Sequence, residues 1–181
     1  MPSRIAECYN AEVQLILPAM AYENSFSEAV EEMRQAEGIG FWEEVGSPKS
    51  ISEYIDIRLC HAKGERLPPN WIPATTYWLI DGDMFIGETT IRHELTEHLR
   101  TVGGHIGYWI RPSERKKGYG KKILRMGLEK AKELGITQVR ITCDETNTGS
   151  RKIIEANGGK LEGSTNMGQK LPKKLLFWVS L

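Results

Sequence analysis

Residues 110–120 read Ile110-Arg111-Pro112-Ser113-Glu114-Arg115-Lys116-Lys117-Gly118-Tyr119-Gly120. This run lies between a strand-like segment that Pro112 ends and an amphipathic helix predicted over Gly118–Leu134. Gly118 and Gly120 permit a positive φ and a close approach of a ligand to the backbone. The backbone amides, the positive end of the helix and the neighbouring Lys and Arg side chains would then converge on one point. Such a turn suits an anion, and a pyrophosphate fits it well.

Two other phosphate-binding motifs fail on their residues. A dinucleotide fingerprint G-x-G-x-x-G would need glycine at position 123, where Ile123 stands. A Walker loop needs lysine after its last glycine, and the nearest stretch, Gly163 to Lys170, has Gln169 there. The sequence therefore predicts neither a Rossmann site nor a P-loop. A solvated basic helix start remains the simpler structural alternative for the run.

The segments around the turn alternate between strand and helix patterns. Asp81-Gly82-Asp83 joins two strand-like runs and predicts a hairpin, and Ser25 with Glu28 predicts a capping box. The order implies an α/β (α+β) fold, with a mixed sheet and helices on both faces. The predicted strands are Glu12–Leu17, Thr75–Ile80, Met84–Arg92, His105–Arg111, Gln138–Cys143, Lys160–Ser164 and Lys174–Leu181, and the predicted helices are Ser25–Glu37, Ser50–Lys63, Gly118–Leu134 and Ser150–Asn157.

Composition and charge bound the class of protein. The chain has 181 residues, of which 40% are hydrophobic and 27% charged, as in ordinary globular proteins. Its 24 basic and 24 acidic residues cancel, so no global field favours nucleic acid or an anionic membrane as a partner. Cys8, Cys60 and Cys143 are widely spaced without a C-x-x-C pair, which argues against a disulfide framework and a metal site. With no apolar run long enough to span a bilayer, a cytoplasmic location is expected.

The motif and its surroundings resemble the GNAT superfamily of acetyltransferases. That superfamily has a strand, then V-x-P-x-x-R/Q-x-x-G-x-G/A, then a long helix, which Ile110 to Gly120 match. A second element, an asparagine near the end of a later strand followed by a short helix and a glycine, is matched by Asn147, Ser150 and Gly158-Gly159. The stretch from Gly103 to Arg115 also resembles a bacterial branch of predicted acetyltransferases.

The resemblance implies a fold and a donor. The fold would be one GNAT-like domain over residues 1–181, with about seven mostly antiparallel strands, helices on both faces and splayed central strands. Acceptor-side helices would occupy about 1–74, the acetyl-CoA-binding core 75–165 and the terminal strand 166–181. The expected acetyl-CoA-binding residues are Tyr108, Ile110, Arg115, Lys116, Lys117, Gly118, Tyr119, Gly120, Lys121, Asn147 and Ser150, with Tyr108 and Ile110 using only their backbone groups.

Three residues are candidates for catalysis. Many family members carry a tyrosine acid seven residues after the asparagine, but Ile154 stands there. Ser150 resembles a serine that protonates the leaving thiolate in branches acting on protein N-termini, although it could instead cap a helix. His105 and Glu88 are the candidate bases that would deprotonate the amine.

Other polar and aromatic residues leave alternatives open. His93 and Glu94 are further candidate bases, and a water relay could replace them all. Trp71, Tyr77 and Trp78 could line the acceptor side or pack in the core.

The predicted function is transfer of the acetyl group of acetyl-CoA to a primary amine of a small molecule or peptide. The alternatives are a non-catalytic acyl-CoA-binding or sensing domain and, on the basic turn alone, a nucleic-acid binder. No metal is expected, nor a nucleic acid or membrane partner, and the chain would be a monomer or homodimer.

Overall fold

The computed structural model describes residues 13–38, 48–168 and 171–181. Short 3₁₀ turns at Met20–Tyr22 and Pro112–Glu114 precede the first and fourth helices. In chain order the elements are β1 (Gln14–Ile16), α1 (Glu23–Glu37), α2 (Ile51–Ala62), β2 (Ala74–Asp81), β3 (Met84–Arg92), α3 (Glu97–Thr101), β4 (Ile106–Ile110), α4 (Tyr119–Glu133), β5 (Gln138–Asp144), α5 (Thr148–Ala156), β6 (Lys160–Thr165) and β7 (Lys174–Ser180).

The strands form two sheets whose named pairings are all antiparallel. One sheet has the order β1-β2-β3-β4 and the other the order β5-β7-β6. They meet at an isolated bridge between Gly104 and Ile141. Helices α1 and α2 contact β3 and β2, whereas α4 contacts β3 and β4 and packs on α5. The predicted α/β architecture, with helices on both faces and separated central strands, is confirmed.

The core divides according to the face of the first sheet. Phe26 of α1 stacks between Tyr54 of α2 and Trp78 of β2, with ring centroids 5.4 and 4.5 Å away. On the other face, a larger cluster joins α4 and α5 to both sheets and includes Leu124, Ile154 and Phe177. Because both clusters are anchored in the sheets, β3 and β4 are fixed from either side.

Two helix starts show how far local sequence determines a cap. Ser50, the predicted first residue of this helix, is its N-cap, since its side chain accepts a hydrogen bond from the Glu53 amide. The predicted capping box of Ser25 with Glu28 is wrong, because α1 begins at Glu23. The Ser25 hydroxyl instead accepts from the Phe85 amide at 2.9 Å and thereby ties α1 to β3. That tertiary contact has no signature in the local sequence.

Neither a membrane span nor a metal cluster occurs in the described part of the chain. None of the helices in residues 13–38, 48–168 and 171–181 is long and apolar enough to cross a bilayer. The same residues contain no group of three or more His, Cys, Asp or Glu side chains placed to hold a metal ion.

Candidate active site

The turn before α4 presents a row of free amides. Gly118 is in the left-handed region with φ 93°, and Lys116 has φ 63°. No described residue accepts a hydrogen bond from the backbone amides of residues 116–120. The last two belong to the first turn of α4, where helix geometry leaves such amides without partners. Five consecutive free donors at a helix N-terminus have the geometry that an anion cradle needs, whereas the amides of Arg115 and Lys121, which the prediction also included, are bonded to Pro112 and Gly118.

Gly120 has a different role from the one predicted. Its φ is not positive, and a Cβ there would lie 2.5 Å from Cδ1 of Ile153 in α5. Glycine at this position therefore lets α4 pack closely on α5. At Gly118, by contrast, an added Cβ would meet no protein atom within 4 Å. Only Gly118 is required by the turn itself, because its φ favours glycine.

The basic side chains of the turn divide into paired and unpaired groups. Arg115 is directed toward α1, where it forms an ion pair with Glu37 at 2.6 Å while its Nε donates to the Ile110 carbonyl at 3.0 Å. Lys117 pairs with Glu114 at 2.8 Å. Lys116 and Lys121 make no ion pair with any residue in the described ranges. These two lysines are free to meet an anion, whereas Arg115 links the turn to the first helix.

Tyr119 joins the turn to the hairpin. Its hydroxyl donates to Asp81 Oδ2 at 2.5 Å, and this hydrogen bond, followed by burial, raises the pKa of Tyr119 to about 12. The hydroxyl therefore stays protonated at neutral pH and holds the start of α4 against the end of β2.

Backbone groups of β4 face the gap between the sheets. The backbone amide of Arg92 donates to the His105 carbonyl, and the backbone amide of Arg111 donates to the Ile86 carbonyl. Because bonded and non-bonded pairs alternate along an antiparallel ladder, the polar groups of Tyr108 and Ile110 point away from β3. Within the described residues β4 pairs only with β3. This geometry suits the predicted backbone contacts to pantetheine, although the Ile110 carbonyl is already bonded to Arg115.

Tyr108 and Ser150 meet across this gap. The Tyr108 hydroxyl lies 2.9 Å from Ser150 Oγ, and Asn147 Oδ1 accepts from the Ser150 amide at 2.9 Å. The cap of α5 is therefore Asn147, and the alternative reading of Ser150 as the cap is wrong. Burial raises the pKa of Tyr108 to about 12, against a smaller opposing effect of the Ser150 hydrogen bond. The Tyr108 hydroxyl therefore stays protonated at neutral pH, and it forms a hydrogen-bonded pair with Ser150 in the gap between the sheets.

A large cavity opens on the α1 and α2 side of the first sheet, and Tyr108 is one of its lining residues. Its volume is about 1560 Å³, and it lies between α1, α2 and the strands β3 and β4. Near its floor, Glu88 is 3% exposed. Its carboxylate accepts from Tyr54 Oη at 2.5 Å and from Trp78 Nε1 at 2.9 Å. The described lining residues that carry charge or an imidazole are Glu31, Arg34, Glu37, Arg58, His61, Glu88, Arg92 and His98.

His105 lies outside this cavity. Its Nδ1 accepts a hydrogen bond from the Arg140 amide at 2.9 Å, and its own amide donates to the Arg140 carbonyl at 2.7 Å. Burial first, and then the charges of Arg100, Arg92 and Arg140, lower its pKa to about 4. The imidazole is therefore neutral and is used to join the two sheets. The structure does not bring His105 together with Tyr108 and Ser150.

The remaining candidate bases and aromatic residues differ in whether they line the cavity. His93 Nε2 lies 2.8 Å from Thr75 Oγ1, and neither His93 nor Glu94 is among the described lining residues. Trp78 is fully buried in the core, and Tyr77 faces α4, where Lys130 lies over its ring. Trp71 is 48% exposed and lines the cavity. Of the candidate bases, only Glu88 lines the cavity.

Several site residues escaped sequence reasoning. Tyr54 and Arg58 stand four residues apart on α2, a spacing that places them on one helix face. Arg92 follows Glu88 by four residues in a strand, so both side chains point to one face of the sheet. The sequence pattern indicates a backbone role for Tyr108 and none for its side chain. Periodicity alone indicated the shared faces, but it could not show which faces would enclose a cavity.

Comparison with known proteins places this geometry in context. Residues 17–160 match the family model described as acetyltransferase (GNAT) domain. No curated protein sequence matches the chain. Each of the solved structures described next is less than 25% identical to the chain, and the likeness therefore concerns the fold.

Three solved structures share the fold over nearly the whole chain. The microcin C7 self immunity acetyltransferase MccE, in complex with acetyl-CoA and AMP, has a TM-score of 0.68 and 17% identity, covering 95% of this chain and 94% of its own. A putative ribosomal-protein-serine acetyltransferase from Vibrio cholerae has a TM-score of 0.63 and 21% identity, covering 93% and 94%. RimL, a ribosomal L7/L12 alpha-N-protein acetyltransferase in complex with coenzyme A, has a TM-score of 0.67 and 16% identity, covering 93% and 94%.

Proposed function

Since the chain belongs to the GNAT acetyltransferase family, with acetyl-CoA as the donor, we propose that it transfers the acetyl group directly to a primary amine of a small molecule or peptide. The observation that carries this proposal is the Tyr108–Ser150 hydroxyl pair, 2.9 Å apart. It lies in the gap between the two sheets, close to a turn whose five amides are free to bind a pyrophosphate. A binding module would need the turn, but it would have no use for a protonated hydroxyl relay beside the thioester.

Donor binding is assigned to backbone groups. The amides of residues 116–120 would hold the pyrophosphate, with Lys116 and Lys121 supplying charge from its solvent side. The gap-facing backbone groups of Tyr108 and Ile110 would bond to the pantetheine arm. Because these contacts use the main chain, the donor site depends on backbone conformation more than on side-chain identity.

The reaction needs one proton removed and one supplied. The neutral amine attacks the thioester carbonyl, and the backbone amide of Tyr108 stabilises the oxyanion that develops. Collapse of this intermediate forms the amide bond and breaks the C–S bond. Ser150 donates its hydroxyl proton to the departing thiolate and is reprotonated by Tyr108. The proton lost by the amine passes through a water and Glu88 to the solvent, and Tyr108 regains a proton from the solvent, so atoms and charge balance and every side chain ends in its starting state.

For amine deprotonation we assign Glu88, acting through a water in the cavity. An alkyl ammonium has a pKa of about 10 and needs a base at neutral pH. Glu88 lines the cavity from β3, opposite Trp109 of β4. Hydrogen bonds from Tyr54 and Trp78 hold its carboxylate in a fixed orientation. His105 is not assigned this step, because its imidazole is bonded between the sheets.

The choice of an amine acceptor draws support from the similar structures. RimL is described as an alpha-N-protein acetyltransferase, the Vibrio cholerae protein as a putative ribosomal-protein-serine acetyltransferase, and MccE as a self immunity acetyltransferase. Peptide and small-molecule acceptors therefore both belong in the proposal. It also includes a cytoplasmic location, with Cys60 and Cys143 as free thiols, and a monomer or homodimer.

The test is release of free CoA from acetyl-CoA across a panel of primary amines. The proposed function predicts amine-dependent release together with a mass increase of one acetyl group on the acceptor. A non-catalytic domain predicts tight binding of acetyl-CoA with no amine-dependent release. The second result would refute the enzyme assignment and establish the alternative.

A further inference from the structure

The acceptor cavity contains two guanidinium groups below its rim. Arg58 of α2 lies over the ring of Tyr54, with Cζ 5.0 Å from the ring centroid. Arg92 of β3 donates from Nη1 to the Gly104 carbonyl at 3.1 Å. Both residues line the cavity and both are only partly accessible. Arg58 reaches the cavity from α2, and Arg92 reaches it from β3.

These two charges lack an ion-pair partner among residues 13–38, 48–168 and 171–181. No carboxylate of that set lies within 4.0 Å of either guanidinium. The Nε atom of Arg58 is buried and has no hydrogen-bond partner there. Burial, followed by the positive charge of Arg58, lowers the pKa of Arg92. The pKa of Arg58 is instead raised: burial opposes its charge, but the neighbouring Tyr54 and Glu88 side chains favour it more strongly.

The acidic groups of the same cavity are already engaged. Glu88 accepts hydrogen bonds from Tyr54 and Trp78. Its single carboxyl group faces two guanidinium groups. At the rim, Glu31 pairs with Arg34 at 2.6 Å, and Glu37 pairs with Arg115 at 2.6 Å. The two lining imidazoles, His61 and His98, add no negative charge. The described lining residues carry three Glu and three Arg side chains, but Glu37 pairs with Arg115, which lies outside the lining, so one guanidinium of the interior is left without a balancing carboxylate.

An uncompensated charge below the surface is costly unless a ligand neutralises it. Guanidinium groups bind carboxylates and phosphates through paired, charge-assisted hydrogen bonds, which are stronger than neutral ones. The excess charge sits next to the transfer point, because Arg92 Nη1 lies 3.9 Å from the position of a Cβ on Gly107. Gly107 immediately precedes Tyr108 on β4.

We propose that the amine acceptor also carries an oxyanion, either a carboxylate or a phosphate, and that Arg58 and Arg92 bind this group. The inference rests on the proposed acetyl transfer to an amine and adds the chemical class of the acceptor. The oxyanion would lie a few bonds from the amine, and it would orient the acceptor so that its nitrogen faces the thioester. Arg58 and Arg92 thereby determine specificity.

The first test compares pairs of amines that differ only in the anion. Phosphoethanolamine against ethanolamine tests a phosphate, and the dipeptide amide Ala-Glu against Ala-Gln tests a carboxylate. We expect kcat/KM to be at least about tenfold higher for the anionic member of one pair. Arg58→Gln and Arg92→Gln should each reduce that preference to below about threefold, mainly through KM. Equal rates within both pairs, or a preference that survives both substitutions, would overturn the proposal.

Matched controls separate charge from folding. Arg125→Gln removes an exposed arginine from the middle of α4, and it should leave the preference unchanged. Arg58→Lys and Arg92→Lys keep the charge but not the planar fork, so an intermediate preference is expected. Thermal melts of each variant identify any that do not fold. Because Arg58 lies in α2 and Arg92 in β3, the test can still be decided with one variant if the other does not fold.

If no amine is acetylated, the proposed function is refuted but the anion site is not. A second measurement, of anion binding, then tests the site by itself. Trp71 and Trp109 line the cavity, so tryptophan fluorescence reports on its contents. CoA-saturated protein is titrated with inorganic phosphate and, separately, with acetate. A saturable change in wild type and Arg125→Gln that is lost in Arg92→Gln supports the anion site and identifies the preferred anion. Identical titrations in all three proteins would refute it.

Discussion

The hydroxyl groups of Tyr108 and Ser150 lie 2.9 Å apart although 42 residues separate them in the chain. Tyr108 belongs to the last strand of the first sheet, and Ser150 belongs to the first turn of α5, which follows the second sheet. The two sheets are otherwise separated at this level. A hydrogen bond here therefore bridges the gap that the donor must enter. It also gives Ser150 a proton source that a helix-capping serine would not need.

Replacement of Ser150 by Ala should lower kcat by about 100-fold, since general acid catalysis contributes on that order. Because the backbone turn is untouched, the Kd for acetyl-CoA should change by less than about threefold. Tyr108→Phe removes the proton source but keeps the Ser150 hydroxyl, so its loss of kcat should be smaller. Assays of CoA release measure kcat, and isothermal titration calorimetry with acetyl-CoA measures the Kd. A Ser150→Ala enzyme with wild-type kcat would exclude the relay.

The two glycines of the turn should respond differently to substitution. Gly118→Ala places a side chain at φ 93° at a cost of about 1 kcal/mol. Since an added Cβ meets no protein atom within 4 Å, the main expected effect is a loss of CoA affinity of more than about tenfold as the cradle distorts.

Gly120→Ala should instead lower the melting temperature slightly, because the new Cβ would lie 2.5 Å from Ile153 Cδ1 and the end of that side chain would have to move. Ile153→Val deletes that methyl group, and it should recover part of the loss, with a coupling energy of about 0.5–1 kcal/mol in a double-mutant cycle. Additive effects of the two substitutions would contradict the close packing of α4 on α5. Calorimetry of the four proteins in the cycle decides this point.

Glu88→Gln should lower kcat/KM at pH 7 by about 10- to 100-fold while acetyl-CoA binding is retained. The rate should recover as the pH rises toward the amine pKa of about 10, because the acceptor then deprotonates without help. Loss of the charged hydrogen bonds from Tyr54 and Trp78 should also reduce stability by about 1–3 kcal/mol. Full activity at pH 7 in a folded variant would show that Glu88 is only structural.

His105 should influence stability and not the pH dependence of catalysis. Its folded pKa of about 4 is depressed relative to 6.5, so its neutral form favours the fold. That contribution is fully present above pH 6.5, and it is lost as the pH falls toward 4. The loss amounts to at most about 3 kcal/mol. Difference melts of wild type and His105→Gln between pH 7 and 4 should show a flatter dependence in the variant.

The kinetic control for His105 uses the same variant. Because the imidazole lies outside the cavity, the acid limb of the pH profile of kcat/KM should keep its apparent pKa in His105→Gln. A shift of that limb would restore His105 as the base.

Elements with local signals were predicted closely. The hairpin at Asp81-Gly82-Asp83 joins β2 and β3 as expected, and α4 begins one residue after its predicted start. Ser50 was a correct helix boundary because its cap depends on an amide three residues away. Ser25 looked equally suitable, but it bonds to Phe85, 60 residues distant. Short α3 at Glu97–Thr101 was missed, since five residues carry too little periodicity to detect.

The sequence by itself determined the donor turn of this GNAT family member, because its shape depends on neighbouring residues. A glycine with a positive φ, a proline that stops a strand and the free amides of a helix start are all properties of one short segment. Tertiary structure alone decided which distant side chains meet: Tyr108 with Ser150, Glu88 with Tyr54 and His105 with Arg140. These contacts depend on the register and separation of the sheets, which set burial, charge balance and pKa. The acceptor cavity, with Arg58 and Arg92 inside it, is a consequence of that packing.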